Sequence, residues 1–380
     1  MSEVFDVLVI GAGPGGTQAA VSAAHQMRHV LLLDASKVSR RRGRAYWSKT
    51  VKIEDAPVFA GITGIEFAKA LQGWTEGQPE RAIQRGGEER MAGIRRADGF
   101  ALDLERLDKT FRLTYATEPL SRDGTVGATT TALGRTVVVA SGFEDGWPDI
   151  EINDAADRMY RKYQLVYRYA GNSRGWHLCI RCDGHLHVDE RVAIVGVGDY
   201  IFDVVQGAQD FTDRITVLTN GRPHGMSPPV LEALRERGVE LEEGRIEAHI
   251  GQGLNLLGFR MADGRELFFD GFFVDEGLKA NDEFLHRFDV GHSDDGLLRC
   301  SDDHEVLNSS GDPIPGMWAA GDIVAGERNL IASAFASGQD AGLEASDSLR
   351  RWAAPTAGGQ NEAVSSIARR SSVGGTGDLE

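Results

Sequence analysis

The chain has 380 residues and carries 41 Lys and Arg against 57 Asp and Glu, which gives a formal net charge of −16 at pH 7. This length favours two domains of ordinary size over one, and 41% hydrophobic residues suffice for packed cores. The negative charge argues against a nucleic-acid-binding protein and against docking on anionic lipid, because both need a basic surface.

The remaining composition points to an intracellular globular protein. Apolar runs are only strand-length, much shorter than the roughly 20 residues of a membrane-spanning helix. The N-terminus lacks the basic and apolar regions of a signal peptide. Three cysteines are too few for a disulfide framework in a chain of this length. We therefore expect a cytoplasmic protein in which any disulfide is catalytic rather than structural.

The N-terminal segment has the pattern of a nucleotide-binding βαβ unit. A run rich in Val from Phe5 to Ile10 predicts a buried parallel strand. An Ala-rich, helix-prone segment follows over Thr17–Met27, and a second strand is predicted over His29–Asp34. The loop between the first strand and the helix consists of Gly11, Ala12, Gly13, Pro14, Gly15 and Gly16.

This loop satisfies the pattern G-x-G-x-x-G in its required strand–helix context. Gly11 permits the tight turn, Gly13 lets a pyrophosphate approach the backbone, and Gly16 lets helix and strand pack closely. The phosphates are expected at the helix N-terminus, where unpaired N–H groups and the helix dipole favour negative charge. Asp34 ends the second strand and is expected to accept hydrogen bonds from a ribose hydroxyl. The loop alone does not distinguish FAD from NAD.

Further elements follow along the chain. The patterns predict a helix over Ile65–Trp74, short antiparallel strands over Arg90–Leu113 with a turn at Asp98-Gly99, and a buried strand over Thr136–Ala140 closed by Ser141-Gly142. They then predict a second βαβ unit (Arg191–Val195, Gly196-Val197-Gly198, Arg214–Leu218), strands at Leu267–Val274 and Gly316–Ala320, and a final helix at Asn329–Trp352. Residues 353–380 are predicted to be a flexible tail.

Between the two units, Cys179 and Cys182 have the spacing C-x-x-C and are followed by Asp183. Two thiols at this spacing can close a small disulfide ring and exchange it with a partner, and Asp183 is placed to shuttle a proton. Two alternatives remain open. With His185 and His187 the cysteines form a possible zinc-ligand set, or they are two inert buried thiols. Cys300 lies far from the pair and is expected to be a bystander.

Four motifs occur in a characteristic order: Gly11-Ala12-Gly13-Pro14-Gly15-Gly16, Cys179-Ile180-Arg181-Cys182-Asp183-Gly184, Gly196-Val197-Gly198-Asp199, and Met317-Trp318-Ala319-Ala320-Gly321-Asp322-Ile323. Together they resemble the low-molecular-weight thioredoxin reductases, FAD-containing pyridine nucleotide–disulfide oxidoreductases, over residues 5–350. The resemblance implies an α/β fold of two three-layer Rossmann-like domains, the second inserted into the first. It places an FAD domain at 1–145 and 278–352 and a dithiol domain at 146–277, and it implies a homodimer.

The resemblance also implies residue roles. Cys182 would face the flavin, Cys179 would attack the partner, and Asp183 would serve as acid and base. The glycine loop and Asp34 would hold the ADP half of FAD. The complete set of expected cofactor-binding residues is Gly11, Gly13, Pro14, Gly15, Gly16, Asp34, Tyr46, Asp55, Ser141, Gly142, Gly321, Asp322, Arg328, Asn329 and Leu330. Trp47 is a second aromatic candidate for stacking on the flavin.

The second glycine loop departs from the family pattern. Ile201 stands where a third Gly or Ala is expected, and a bulky side chain opposes close helix–strand packing there. Thr219, Asn220 and Gly221 replace the His-Arg-Arg of NADPH-using members, whose arginines grip the 2′-phosphate. Losing such charge-assisted contacts weakens binding strongly. We therefore expect that NADPH is not the physiological reductant.

Flavoproteins of a similar, NADPH-independent type take electrons from ferredoxin or pass them from dithiols to oxygen. An acidic ferredoxin would need a basic surface, and the chain offers one candidate patch, made of Lys37, Arg40, Arg41, Arg42 and Arg44. Tyr200 and Phe202, beside the altered loop, suggest a second planar nucleotide ligand in that cleft.

Our hypothesis is an FAD-dependent thiol–disulfide oxidoreductase. Electrons would pass between the flavin and the Cys179–Cys182 pair, and then to a thioredoxin-like protein or a small disulfide, without NADPH. Three alternatives remain: an NAD(P)H-dependent thioredoxin reductase, a dithiol oxidase that uses oxygen, and a non-enzymatic flavin- or zinc-binding module.

Overall fold

The structure of the protein is a computed structural model that describes residues 3–39, 43–85, 87–121, 125–151, 164–165 and 168–350. Its helices with defined bounds are α1 Pro14–His25, α2 Gly64–Glu76, α3 Ile180–Asp183, α4 Ile201–Ala208, α5 Pro228–Glu236 and α6 Ile331–Asp347. Its strands are β1 Val4–Ile10, β2 His29–Asp34, β3 Arg81–Arg85, β4 Glu88–Asp98, β5 Phe100–Leu107, β6 Thr110–Ala116, β7 Thr129–Val139, β8 Phe143–Asp145, β9 Trp176–His177, β10 Val192–Gly196, β11 Ile215–Leu218, β12 Glu240–Glu242, β13 Ile246–Gln252, β14 Asn255–Met261, β15 Glu266–Phe268, β16 Gly271–Asp275, β17 Leu278–Ala280, β18 Glu305–Leu307 and β19 Pro313–Ala319.

The larger sheet has a parallel centre in the order β19-β7-β1-β2-β4. Strand β1 is apolar at successive positions because both faces of this sheet are covered. Val7 and Val9 face a core shared with α1 and α6, whereas Leu8 and Ile10 face a second core formed with β5, β6 and residues 280–325. This sheet therefore forms the middle layer of three.

Residues from both ends of the described chain build this domain. Helix α6 packs along α1 at small residues, where a Cβ on Gly338 would meet Gly15 and one on Gly342 would meet Ala19. Strand β19 pairs with β7 beside β1. The sheet therefore needs segments that are about 300 residues apart in the chain.

A second sheet of five parallel strands has the order β12-β11-β10-β16-β9. Helices α4 and α5 cover one face, and the antiparallel strands β13-β14-β15 with aromatic side chains cover the other. The chain passes between the two sheets twice, and these passages pair with each other as β8 and β17. The predicted α/β class with two Rossmann-like units is confirmed, and the boundaries at 145/146 and 277/278 remain predictions.

Two sequence predictions were wrong in detail. The antiparallel strands expected over Arg90–Leu113 are present only in part: β4 pairs antiparallel with the preceding strand β3, but its other edge extends the parallel sheet beside β2, and β5 pairs with β6 rather than with β4. The single strand predicted over Leu267–Val274 is two strands in different sheets, β15 and β16. The alternation of apolar residues predicts a strand but does not specify its partner.

Two further predictions concern the end of the chain and the membrane. The final helix ends at Asp347 rather than Trp352. The predicted flexible tail, 353–380, lies outside the described residues. Among the residues that the structure describes, no helix is both long and apolar enough to cross a membrane.

Candidate active site

The first glycine loop has the backbone geometry that its sequence predicts. Gly11 has a φ of +112°, and a Cβ there would overlap the carbonyl oxygen of Ala140 on the neighbouring strand. A Cβ on Gly16 would overlap the carbonyl oxygen of Gly11, so glycine is required for α1 to pack against β1. Gly13 has no atom within 4 Å of its ideal Cβ position, and the loop is therefore open at this residue.

A cavity of about 760 Å³ lies in front of this loop, at the carboxyl ends of β1, β2 and β7. Its volume lies within the range of small-molecule and cofactor sites. The predicted cofactor-binding residues that line it are Gly11, Gly13, Pro14, Gly15, Asp34, Tyr46, Ser141, Gly142, Gly321, Asp322, Asn329 and Leu330. Trp47 also lines it.

Two buried polar atoms in the lining point to a polar ligand. The hydroxyl of Ser141 and the side-chain carbonyl oxygen of Asn329 have no hydrogen-bond partner among the described residues. Buried polar atoms are normally paired, because an unpaired one costs about 1–3 kcal/mol. The open glycine loop, the helix N-terminus and these two atoms fit a dinucleotide with ribose, ribitol and pyrophosphate groups.

Asp34 is held rigidly at one end of the cavity. Its carboxylate accepts hydrogen bonds from the backbone N–H of Ser36 at 2.8 Å and from the Ser36 hydroxyl at 3.0 Å. It also pairs with the guanidinium of Arg96 on β4. This network fixes the orientation of the carboxylate beside the cavity wall.

Asp322 lies at the other side of the glycine loop, in a short 3₁₀ turn after β19. Burial raises the pKa of Asp322 to about 6, against the lowering effect of the nearby Arg44. Arg44 itself donates to Asp145 at 2.9 Å. The cavity wall therefore holds one arginine between two carboxylates that come from different parts of the chain.

Three predicted cofactor residues do not line this cavity. Asp55 is exposed, because its loop closes on itself through the Ile53–Ile62 bridge and leaves this side chain outside. Its role in binding the cofactor therefore stays a prediction that the cavity lining does not support. Gly16 acts in helix packing behind the loop, and Arg328 lines a separate cleft beside the cysteines.

Cys179 and Cys182 are joined by a disulfide at the start of α3. A cleft of about 200 Å³ adjoins this disulfide, and Arg44 and Asn329 line both the cleft and the larger cavity. The cysteine that lines the cleft is Cys179. We expected Cys182 to face the flavin, and this assignment stays a prediction that single-cysteine variants would test.

Asp183 begins a chain of contacts that leads away from the disulfide. Its carboxylate lies 2.9 Å from Nδ1 of His177, and Nε2 of His177 lies 3.1 Å from Nε2 of His187. Nδ1 of His187 lies 2.8 Å from the carboxylate of Glu190. Both imidazoles are buried, whereas the two carboxylates at the ends reach solvent.

The predicted zinc-ligand set is not assembled. The two sulfurs bond to each other, His185 is exposed and lies 3.2 Å from Glu54, and both ring nitrogens of His187 are in the contacts just described. The alternative of two inert thiols also does not fit, since the cysteines form a disulfide beside an open cleft.

The second glycine loop is occupied by the chain's own groups. The N–H of Gly198 donates to the carbonyl oxygen of His224 at 2.7 Å, and the carboxylate of Asp199 accepts the N–H of Ser227 at 2.7 Å. Ile201 is fully buried and lies where a Cβ on Gly196 would be. The loop therefore offers an acidic, internally bonded surface where a phosphate would need free N–H groups.

Residues at and after the end of β11 also form hydrogen bonds within the protein. The side-chain oxygen of Asn220 accepts the N–H of Ile246 at 2.9 Å, and Thr219 is fully buried. The next cation, Arg222, forms a bidentate pair with Glu276. Thr219, Asn220 and Gly221 therefore carry no cation themselves, although the exposed Arg245 lies beside Gly221.

The remaining sequence candidates lie apart from these sites. The Tyr200 hydroxyl interacts with Asp295, which raises the pKa of Tyr200, whereas Phe202 packs beside Arg237. The two rings thus have different neighbours, and a second planar ligand in this cleft stays a prediction.

Two of the cations in the candidate basic patch are paired with carboxylates. Of its residues, Lys37 pairs with Asp98 at 2.7 Å and Arg44 turns inward to Asp145, while 40–42 lie outside the described residues.

Sequence reasoning missed several residues of the cavity. Arg96 is 62 residues from Asp34 and reaches it only because β2 and β4 are paired. Asn281 donates to the carbonyl oxygen of Ser141 at 3.0 Å, and Lys49 lines the wall with a pKa lowered by burial. None of them belongs to a local motif, so only the fold reveals them.

The chain was compared with known families, curated proteins and solved structures. The family model for pyridine nucleotide-disulphide oxidoreductases matches residues 5–340. The thioredoxin reductase of Aquifex aeolicus (strain VF5) is 26% identical over 353 residues, covering 90% of this chain and 92% of the relative. An alkyl hydroperoxide reductase protein of Pseudomonas putida is 25% identical, and the match covers 93% of this chain but 60% of that protein.

Among solved structures, the thioredoxin reductase from Streptococcus pyogenes MGAS5005 matches with a TM-score of 0.69 and 18% identity, covering 92% of this chain and 99% of that one. This likeness supports the fold alone. Together with the family match over most of the sequence, the glycine loop and the disulfide identify the chain as a member of the pyridine nucleotide-disulphide oxidoreductase family.

Proposed function

We propose that this protein is an FAD-dependent thiol–disulfide oxidoreductase that does not use NADPH as its reductant. The observation that carries the proposal is the Cys179–Cys182 disulfide, which lies at a cleft that shares Arg44 and Asn329 with the cofactor-sized cavity. The shared wall residues put the cleft at the disulfide next to the proposed flavin site, which supports electron exchange between the two. The family match supports the cofactor, since this family binds FAD.

The cavity residues have separable roles in holding FAD. The N–H groups at the start of α1 would bind the pyrophosphate, and Gly13 leaves room for its approach. Asp34 would accept a ribose hydroxyl, and Ser141 and Asn329 would gain the hydrogen bonds they lack. When bound, FAD supplies a site that accepts or donates two electrons.

Cys179, Cys182 and Asp183 would carry out the thiol–disulfide exchange. When the partner is in its dithiol form, its thiolate attacks one sulfur of the disulfide, and the other sulfur leaves with the electron pair of the broken S–S bond. When the Cys179–Cys182 pair is reduced, one of its thiolates attacks the partner's disulfide in the same way. Asp183, next to Cys182, would supply the proton that the leaving sulfur needs. The structure places Cys179 at the cleft, and we propose that this sulfur faces the cofactor in the conformation described.

Independence from NADPH rests on the second nucleotide-fold unit. In the glycine loop of this unit, the N–H of Gly198 is bonded to the carbonyl oxygen of His224. Asp199 and Asp203 add negative charge at the start of α4. A phosphate there would have to displace an internal hydrogen bond and approach two carboxylates. The unit retains its βαβ architecture, and the internal bonding of its loop supports the proposal that it does not bind the pyrophosphate of NADPH.

The relatives suggest the substrate. By analogy with the Aquifex aeolicus protein, we propose a thioredoxin-like disulfide protein as the partner, and a homodimer as the working assembly. A ferredoxin donor is a secondary proposal, and the pairing of Lys37 and Arg44 with carboxylates weakens its basic docking surface.

An anaerobic absorbance titration of the purified protein tests the proposal. Dithiothreitol should bleach bound FAD, and NADPH should not. Bleaching by both reagents would instead establish an NADPH-dependent reductase. Peroxide formation from dithiols in air would establish a dithiol oxidase. Replacing Cys182 by Ser should abolish disulfide turnover while FAD stays bound, and retained turnover would refute the role of the pair.

A further inference from the structure

The strongest unexplained feature outside the cavity is a row of four side chains that starts at Asp183, the residue after Cys182. The backbone N–H of Asp183 donates to the carbonyl oxygen of Cys179 at 3.1 Å. Asp183, His177, His187 and Glu190 are joined by three contacts of 2.9, 3.1 and 2.8 Å. The two imidazoles are 2% exposed, whereas the side chains of Asp183 and Glu190 are 25% and 39% exposed. The row therefore leads from the redox cysteines through the domain interior to a second point on the surface.

The number of protons that the row can hold makes it suited to proton transfer. Two ionised carboxylates and two neutral imidazoles hold two protons, but the row has three contacts that need one each. In that state one of the three contacts has no hydrogen between its two atoms, and the lone pairs of those two atoms face each other. A third proton satisfies all three contacts, and the row then carries a net charge of −1 instead of −2. A proton added at one end can thus be matched by a proton released at the other.

The packing holds both rings in place. His177 ends β9, and His187 lies against the backbone of β16, where a Cβ on Gly271 would be 2.7 Å from its ring. Phe273 contacts both imidazoles, with ring centroids 5.1 and 5.8 Å away. The residues of β16 that lie beside the rings are Gly271 and Phe273, and neither carries a charge.

The charged groups that act on the rings are therefore those of the row itself. Burial lowers the pKa of His187, and Glu190 and Asp183 oppose that effect. A lowered pKa favours the neutral ring, and a neutral imidazole can accept a proton on one nitrogen while it releases one from the other.

We propose that Asp183, His177, His187 and Glu190 form a proton relay that serves the Cys179–Cys182 disulfide. When a dithiol reductant attacks the disulfide, its thiolate forms a mixed disulfide with one cysteine, and the other cysteine leaves as a thiolate holding the electron pair. That thiolate takes a proton from Asp183. Asp183 is reprotonated through His177 and His187, and Glu190 takes a replacement proton from water. His177, His187 and Glu190 act through Asp183 and are positioning residues.

The proposal rests on the disulfide chemistry proposed above, and a rapid-quench experiment separates the two. The holoprotein is mixed with dithiothreitol, quenched with acid and alkylated, and the remaining Cys179–Cys182 disulfide is measured by mass spectrometry. Variants His187→Gln and Glu190→Gln are compared with wild type from pH 6 to 9.5, in H₂O and in D₂O. His249→Gln is the matched control, because His249 is also buried and paired with a carboxylate, Glu151, but does not contact the row.

Both relay variants should cleave the disulfide about tenfold more slowly at pH 6.5, less than the 10²–10⁴-fold of direct acid catalysis. The deficit should close above about pH 9, where the leaving sulfur is stable as a thiolate. Wild type and His249→Gln should show the same rate and the same solvent isotope effect, and the relay variants a smaller isotope effect.

Wild-type rates and pH profiles in both relay variants would overturn the relay while leaving the proposed function intact. Because Glu190 is partly exposed, its variant carries the test alone if His187→Gln does not fold. Retained disulfide turnover in Cys182→Ser would instead overturn the proposed function, and the relay with it.

Discussion

The backbone N–H of Gly198 donates a 2.7 Å hydrogen bond to the carbonyl oxygen of His224, at the point where a nucleotide-binding unit would present that N–H to a phosphate. The loop of the second unit is thus closed by a neighbouring segment of the same chain. Side-chain changes near the loop leave this backbone contact intact, and this leads to the first prediction.

Replacing Ile201 by the small residue that the glycine pattern expects there should destabilise the protein, and it should not create an NADPH site. Ile201 is fully buried, so Ile201→Ala should lower the free energy of unfolding by about 2–5 kcal/mol. NADPH should still fail to bleach the flavin, since Gly198 remains bonded to His224. Urea unfolding and an anaerobic titration measure the two effects, and NADPH reduction of the variant would contradict our account of the loop.

Two glycines of the first loop should respond oppositely to the same substitution. Gly16→Ala places a methyl group against the carbonyl oxygen of Gly11, and overpacking should destabilise the fold by about 1–3 kcal/mol or more. Gly13→Ala meets no atom within 4 Å, so the fold should keep its stability while FAD binds more weakly. Thermal unfolding of the apoprotein and FAD titration separate the effects, and equal behaviour of both variants would argue against this cavity as the FAD site.

Asp322→Asn should stabilise the apoprotein in a pH-dependent way. The pKa of Asp322 is raised from 3.8 to about 6 in the folded protein, so its ionisation opposes folding as the pH rises through this interval. The replacement should therefore add about 3 kcal/mol to the free energy of unfolding at pH 8, and about half of that at pH 5. Denaturant unfolding of the apoprotein at both pH values measures this, and a gain that does not depend on pH would exclude the mechanism.

Single cysteine variants should identify the sulfur that faces the cofactor. Cys182→Ser leaves Cys179, the residue that lines the cleft beside the cavity. We expect a long-wavelength thiolate–flavin absorbance band in Cys182→Ser and none in Cys179→Ser. The reverse result would restore the assignment made from sequence and would mean that the dithiol domain takes another orientation.

Cys300 should be inert toward alkylation in the folded protein. Burial raises the pKa of its thiol to about 12, so the reactive thiolate is scarce at pH 8. Iodoacetamide should therefore label no cysteine in the oxidised protein and two, Cys179 and Cys182, after mild reduction. Peptide mass spectrometry reads the labels, and Cys300→Ser is the control, which should behave as wild type.

The sequence predicts those parts of the site that depend on neighbours in the chain. The glycine loop and the C-x-x-C pair are local patterns, and both appear in the structure with the expected backbone. The pairing of Asp34 with Arg96 depends on the register of β2 and β4, and no spacing in the sequence specifies that register. The position of Asp55 outside the cavity lining is likewise not specified locally, because its loop closes through the bridge between Ile53 and Ile62.

The pairing of β19 with β7, inside a sheet that begins at Val4, has a consequence for synthesis of the protein. Domains form as the ribosome releases their segments, and the N-terminal strands of this sheet must wait for β19 and α6. The second parallel sheet, from Trp176 to Asp275, is complete earlier. We therefore expect the dithiol domain to fold on the nascent chain first, and the cofactor to bind only after about 345 residues have emerged.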